Sequence, residues 1–165
     1  SKANAGYTLL ELIIVVGIMG ILFSIGVSNF SDYNDRMKLT NSSQKMAREI
    51  NWGKNHGIVR EQFFAVRVWS SDNLYQIFLV DKDGKESLIT PPGEILTDEN
   101  KTELDSEVQL NVSNCAKRDP CTFTYNYLAD VWGNIGKAVE ITFSLTGQTN
   151  QTVDIDNITG VAYVR

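Results

Sequence analysis

Between Leu12 and Ser31 the chain runs for 20 residues without a charge, and from Leu12 to Val27 only Gly17, Gly20, Ser24 and Gly26 interrupt the apolar side chains. Twenty residues of helix cover about 30 Å, the thickness of a bilayer's hydrocarbon core. A segment that is apolar on every side needs an apolar surrounding on every side. The 42% hydrophobic content of the 165-residue chain is therefore an average over a greasy N-terminal rod and a more polar remainder. That remainder is long enough for one domain with a modest core. Residues 1–27 carry only Lys2 and Glu11, so the net charge of −5 falls entirely on the remainder. An acidic domain lacks the positive field that phosphate backbones require, which argues against nucleic acid as a partner.

A secretory signal peptide has a basic start, an apolar run of about 7–15 residues and a small-residue cleavage site after it. Here the run is longer, and the small residues Ala5-Gly6 precede it. Glu11 stands at the edge of the greasy segment. A carboxylate there costs up to about 2.5–3.5 kcal/mol at the centre of a membrane helix and less near its end. It either snorkels to the interface of a plain anchor or meets a cation inside a bundle of helices.

The segment Gly6-Tyr7-Thr8-Leu9-Leu10-Glu11, followed by Leu12-Ile13-Ile14-Val15-Val16, resembles the processing site of type IV pilins and type II secretion pseudopilins. That pattern is glycine, an aromatic residue, threonine, two aliphatics, glutamate and then an apolar helix. The resemblance implies cleavage after Gly6 by a prepilin peptidase, N-methylation of the new terminus at Tyr7, and an assembly role for Thr8 and Glu11. The freed amine of a neighbouring subunit's Tyr7 is the cation such a buried carboxylate needs, and the pair would set the axial stagger between subunits. Residues 1–6 then read as the remnant of a leader peptide, 7–30 as a helix for the membrane and the filament core, and 31–165 as the globular domain. Many members of the family carry proline about twenty residues into the helix. Ser28 stands near that place, which predicts a less kinked helix, with Gly17, Gly20 and Gly26 as soft or close-packing positions.

Beyond Ser31 the helical pattern turns amphipathic. Phe30, Tyr33, Met37, Thr40, Gln44 and Ala47 form one strip, and Leu39, Met46 and Ile50 a second. With no proline before Pro91, one helix from about Thr8 to about Asn55 is predicted, Gly53 and Gly57 marking its fraying end and His56 sitting at its wet tip. Strands are predicted over Gln62–Trp69, Leu74–Val80, Lys85–Ile89, Glu107–Val112, Thr122–Tyr127, Lys137–Leu145, Gln151–Asp156 and Gly160–Arg165. Asp81-Lys82-Asp83-Gly84 reads as a tight turn rather than a calcium loop, because the further ligands of such a loop are missing. Pro91-Pro92-Gly93 and the acidic 98–105 stretch read as a break. Asp154 and Asp156 alternate with Val153 and Ile155, which predicts a wet strand face. The fold class is thus α+β: a long N-terminal helix, membrane-spanning in its first half and amphipathic in its second, packed on an antiparallel β-sheet domain.

The motifs Lys45–Ile50, Asn55–Arg60 and Ala65–Val68, with Ile141-Thr142-Phe143, Gly147 and Gly160-Val161, are similar to the GspH/FimT-like minor branch of the family. DNA-binding members of that branch place arginine after the C-terminal glycine. Here Val161 and Ala162 follow Gly160, leaving only Arg165.

Cys115 and Cys121 are the only cysteines. In an oxidising compartment they would close a small loop, stabilising the domain by about 2 kcal/mol. Zinc needs four ligands, and the chain offers two cysteines and one histidine. A redox pair has two intervening residues, not five. No constellation for nucleophilic catalysis, phosphate cradling or cofactor binding stands out, so no enzyme and no cofactor is expected. The resemblance implies a minor pilin or pseudopilin in the bacterial inner membrane, a single pass with its globular domain periplasmic or extracellular, later part of a filament. Its partners would be membrane lipid before assembly, the inner-membrane assembly platform, and other subunits through the N-terminal helix. A major pilin, or a pilus-associated receptor for DNA or surfaces, is the alternative.

Overall fold

The computed structural model describes residues 8–92, 101–113, 120–125, 131–132, 139–156 and 159–165. One helix, α1 (Leu9–Arg60), is followed by β1 (Phe63–Trp69), β2 (Leu74–Val80), β3 (Glu86–Leu88), β4 (Thr102–Glu103), β5 (Gln109–Val112), β6 (Cys121–Tyr125), β7 (Val131–Trp132), β8 (Val139–Ser144), β9 (Gln151–Ile155) and β10 (Ala162–Val164). All pairings are antiparallel. One sheet runs β3-β2-β1-β6-β7 with β4 also on β2, and a second runs β10-β9-β8-β5. The chain divides into two units, residues 1–36 and 37–165.

In the second unit the C-terminal half of α1 and both sheets contribute to one apolar cluster. Alternation selects its members: Phe64, Val66 and Val68 of β1 enter it, as do Phe123 and Tyr125 of β6, Ile141 and Phe143 of β8, and Val153 and Ile155 of β9. The other face of β1 is covered by its own cation. The Arg67 guanidinium lies 4.5 Å from the centroid of the Phe78 ring and donates to Glu86 at 2.8 Å.

Of the two strips expected on α1, the second carries most of the packing, and of the first only Ala47 is buried and Thr40 half-buried. Leu39, Met46 and Ile50 are buried, joined by Ser42, Ser43, Ala47 and Glu49, whereas Phe30, Tyr33, Met37 and Gln44 are exposed. The helix also runs to Arg60, past its expected end near Asn55. Gly53 and Gly57 do not mark fraying. Both are buried where α1 lies closest to β1, and a β-carbon on Gly53 would come within 2.2 Å of the Phe64 ring. The helix stops where Glu61 takes a left-handed φ of 52° and Gln62 N donates back to the Gly57 carbonyl. His56, expected at the wet tip, is half-buried and stacks on Trp52 with ring centroids 5.0 Å apart.

The turn at Asp81 forms as expected. Its Oδ1 accepts from the Asp83 and Lys85 amides, and Gly84 has φ 81°. The expected break at 98–105 is incomplete, because Thr102–Glu103 pairs with the Leu74–Tyr75 end of β2. The wet face expected for Asp154 is wrong. Asp154 is 4% exposed and held by Arg165 at 3.2 Å, so alternation placed it on the right face but that face is covered at this point. Asp156 instead caps the turn before β10, its Oδ1 accepting from Thr159 N and Oγ1.

Candidate functional site

The feature that sets this chain apart is the start of α1. Thr8 precedes the first helical residue, and its Oγ1 accepts from the Glu11 amide at 3.2 Å, satisfying one of the donors a helix N-terminus leaves open. Thr8-Leu9-Leu10-Glu11 is also the spacing of a capping box, a signal in the sequence that explains the threonine locally. Glu11 thereby sits in the first turn, where the positive end of the helix dipole favours a carboxylate. Gly6 and Tyr7, the expected cleavage and methylation residues, lie outside the described residues.

From Glu11 onward the helix is exposed on all sides as far as residue 26. The large apolar side chains of this stretch range from Val15 at 43% exposed to Phe23 at 75%. Each costs about 1.5–3 kcal/mol in water relative to a buried state, so this half of α1 is stable only against lipid or other apolar helices. An 18-residue window of it is apolar enough to cross a membrane, with none of that window buried within the chain. A β-carbon on Gly17, Gly20 or Gly26 would meet nothing within 4 Å, which leaves these positions open to another helix.

The second unit carries polar joints that sequence reasoning did not single out. Glu49 is buried on α1, and the Tyr75 hydroxyl donates to its Oε2 at 2.7 Å. Asn51 and Lys54 reach the segment leading into β10: Asn51 pairs with both backbone groups of Ala162, and Lys54 donates to the Thr159 carbonyl. Partial burial lowers the Lys54 pKa, with Asp156 opposing. Tyr125 is buried deeply enough that desolvation raises its hydroxyl well above the usual 10.0. Cys121, buried at the start of β6, is disulfide-bonded, and Cys115 lies outside the described residues. Among the described residues no group of three or more His, Cys, Asp or Glu side chains is placed to hold a metal ion.

Comparison with known proteins bears on both ends of the chain. Residues 1–27 match the prokaryotic N-terminal methylation motif. A fimbrial protein of Pseudomonas aeruginosa is 41% identical over 46 residues, which is 28% of this chain and 30% of the relative, so the chain spans less than a third of the relative it matches. The minor pseudopilin EpsH from the type 2 secretion system of Vibrio cholerae superposes with a TM-score of 0.59 at 14% identity, over 78% of this chain and 96% of that one. The type IV minor pilin FimU of P. aeruginosa does so with a TM-score of 0.54 at 8% identity, over 81% and 92%. The chain thus joins a methylation-type N-terminus to the fold of minor pilins and pseudopilins, as the sequence resemblance implied.

Proposed function

We propose that this chain is a structural, non-catalytic subunit of a type IV pilus or type II secretion pseudopilus, and within that class a low-copy minor subunit. The observation that carries the reading is the half of α1 that is apolar on every side and wholly exposed, with one carboxylate, Glu11, in its first turn. Such a helix exchanges lipid for a bundle of like helices at little cost, because both surroundings are apolar. In this reading residues 1–6 belong to a leader peptide, a prepilin peptidase cleaves after Gly6, and Tyr7 becomes an N-methylated terminus. The segment 7–30 anchors the subunit in the inner membrane with 31–165 on the periplasmic or extracellular side. An assembly platform then moves it into the filament, where Glu11 meets the Tyr7 amine of a neighbour and Thr8 holds the first turn in register. Cys115 pairs with Cys121 on the oxidising side. The receptor alternative is weaker, because the second unit is acidic and the turn before β10 leads into Val161 and Ala162 rather than into arginine.

The test is Glu11→Ala in cells that assemble the filament. The variant is expected to be cleaved after Gly6 yet to enter filaments poorly. Normal cleavage together with normal incorporation refutes the charge pair. An intact leader with Tyr7 unmethylated in the wild type refutes the processing scheme.

A further inference from the structure

Among the described residues the four-stranded sheet has two edge strands, β10 and β5, and hydrogen bonding alternates along each. On β10, Arg165 and Thr152 exchange both backbone bonds and Asp156 N donates to Val161 O, so Val161, Tyr163 and Arg165 face β9 while Ala162 and Val164 face outward. On β5, Ser113 N donates to Glu140 O, so Asn111 and Ser113 face β8 while Leu110 and Val112 face outward. An outward-facing N–H and C=O on an edge strand is a template for another strand. On each edge one of the outward-facing positions, Ala162 on β10 and Leu110 on β5, is instead met by an asparagine amide. Asn51 of α1 donates to the Ala162 carbonyl at 2.7 Å and accepts from the Ala162 amide at 2.9 Å, the two bonds a neighbouring strand would make. Asn73, in the turn between β1 and β2, accepts from the Leu110 amide at 3.0 Å through its side chain and from the Leu104 amide at 3.3 Å through its backbone. Asn73 has φ 55°, a left-handed conformation asparagine tolerates better than other side chains.

We infer that Asn51 and Asn73 block these two edges at Ala162 and Leu110, so that a strand from a second copy of the chain cannot pair along their length. Contacts between copies are thereby left to surfaces other than these strand edges. The other sheet blunts one edge differently: β3 is three residues long and exposed beside Lys85.

The experiment uses the full chain in detergent micelles at a fixed protein-to-detergent ratio, so that any association of the N-terminal helices is common to all samples. Amide exchange and molecular mass are followed for the wild type, Asn51→Ala, Asn73→Gly and the double variant; glycine is chosen at 73 because it accepts the positive φ. In the wild type the Ala162 and Leu110 amides are expected to exchange as slowly as their inward-facing neighbours Tyr163 and Asn111. Each single variant is expected to speed exchange roughly tenfold at its own partner only, the effect of one lost hydrogen bond. The double variant is expected to gain mass with concentration, its Ala162 and Leu110 amides regaining protection as it does. A cooperatively melting double variant that keeps the wild-type mass at every concentration overturns the inference. So does a wild type whose Ala162 and Leu110 amides exchange like free ones. Should the double variant not fold, the mass of the two single variants is followed with concentration: each is expected to rise, and wild-type mass at all concentrations in both counts against the inference.

Discussion

Gly53→Ala is the smallest change that tests how α1 meets the sheet. A β-carbon at this position would lie 2.2 Å from Phe64 Cε2 and 2.7 Å from Cζ, well inside contact distance. The Phe64 ring has nowhere easy to go. It is 1% exposed and stacks on Tyr125 with centroids 5.5 Å apart, and Tyr125 in turn packs edge-on to Phe123 at 6.2 Å. Overpacking of this kind costs about 1–3 kcal/mol, and here the displacement needed exceeds an ångström, which points to the upper part of that range. Alanine's helical advantage over glycine returns about 1 kcal/mol. The expected net loss is about 1–2 kcal/mol, or about 3–8 °C in melting temperature for a domain of this size. Urea and thermal denaturation of the full chain in detergent, followed by tryptophan fluorescence, measures it. Adding Phe64→Leu should recover part of the loss, and Gly20→Ala, with open space around it, should leave the melting of the second unit unchanged. A Gly53→Ala protein as stable as the wild type would refute the close approach of α1 to β1.

Three further outcomes are expected. Tyr75→Phe removes the hydroxyl that donates to the buried Glu49 carboxylate and should cost about 1.5–3 kcal/mol, read as a lower urea midpoint at unchanged slope. The raised pKa of Tyr125 means that above pH 10.0 the folded chain keeps a proton the unfolded chain releases. Stability is therefore intact below that pH and falls as pH climbs through the alkaline range. Tyr125→Phe should remove that part of the alkaline loss, and an identical pH profile for the two proteins would contradict it. Reduction with a thiol should lower stability by about 2 kcal/mol if Cys115 and Cys121 close their small loop; no change on reduction would count against the pairing.

The helix start was legible because its signals are local. Thr8 and Glu11 lie three residues apart, and the cap they form needs nothing from the rest of the chain. Most strands were legible too, because alternation such as Phe64, Val66 and Val68 reports burial on one face directly. What failed depended on distant partners. Gly53 and Gly57 carry the same composition signal as a fraying helix end, and only the return of Phe64 against them reveals close packing. Asp154 alternates like a solvent residue, and nothing near it in sequence announces Arg165 as its partner. Asn51 and Asn73 look like ordinary polar residues until β10 and β5 arrive beside them. The two residues of β4 are too few to show a period, and their strand state comes from the free edge of β2.

The stretch of α1 that enters the core has a mechanical consequence. Leu39, Met46 and Ile50 lie along the helix within the apolar cluster of the second unit. A load along the axis of this stretch is carried as tension on its i to i−4 hydrogen bonds and as shear on those three side chains. Extension can begin there only by melting helix, each residue lengthening from about 1.5 Å to about 3.3 Å. The side chains that pack for stability thereby double as the grip that resists axial pulling.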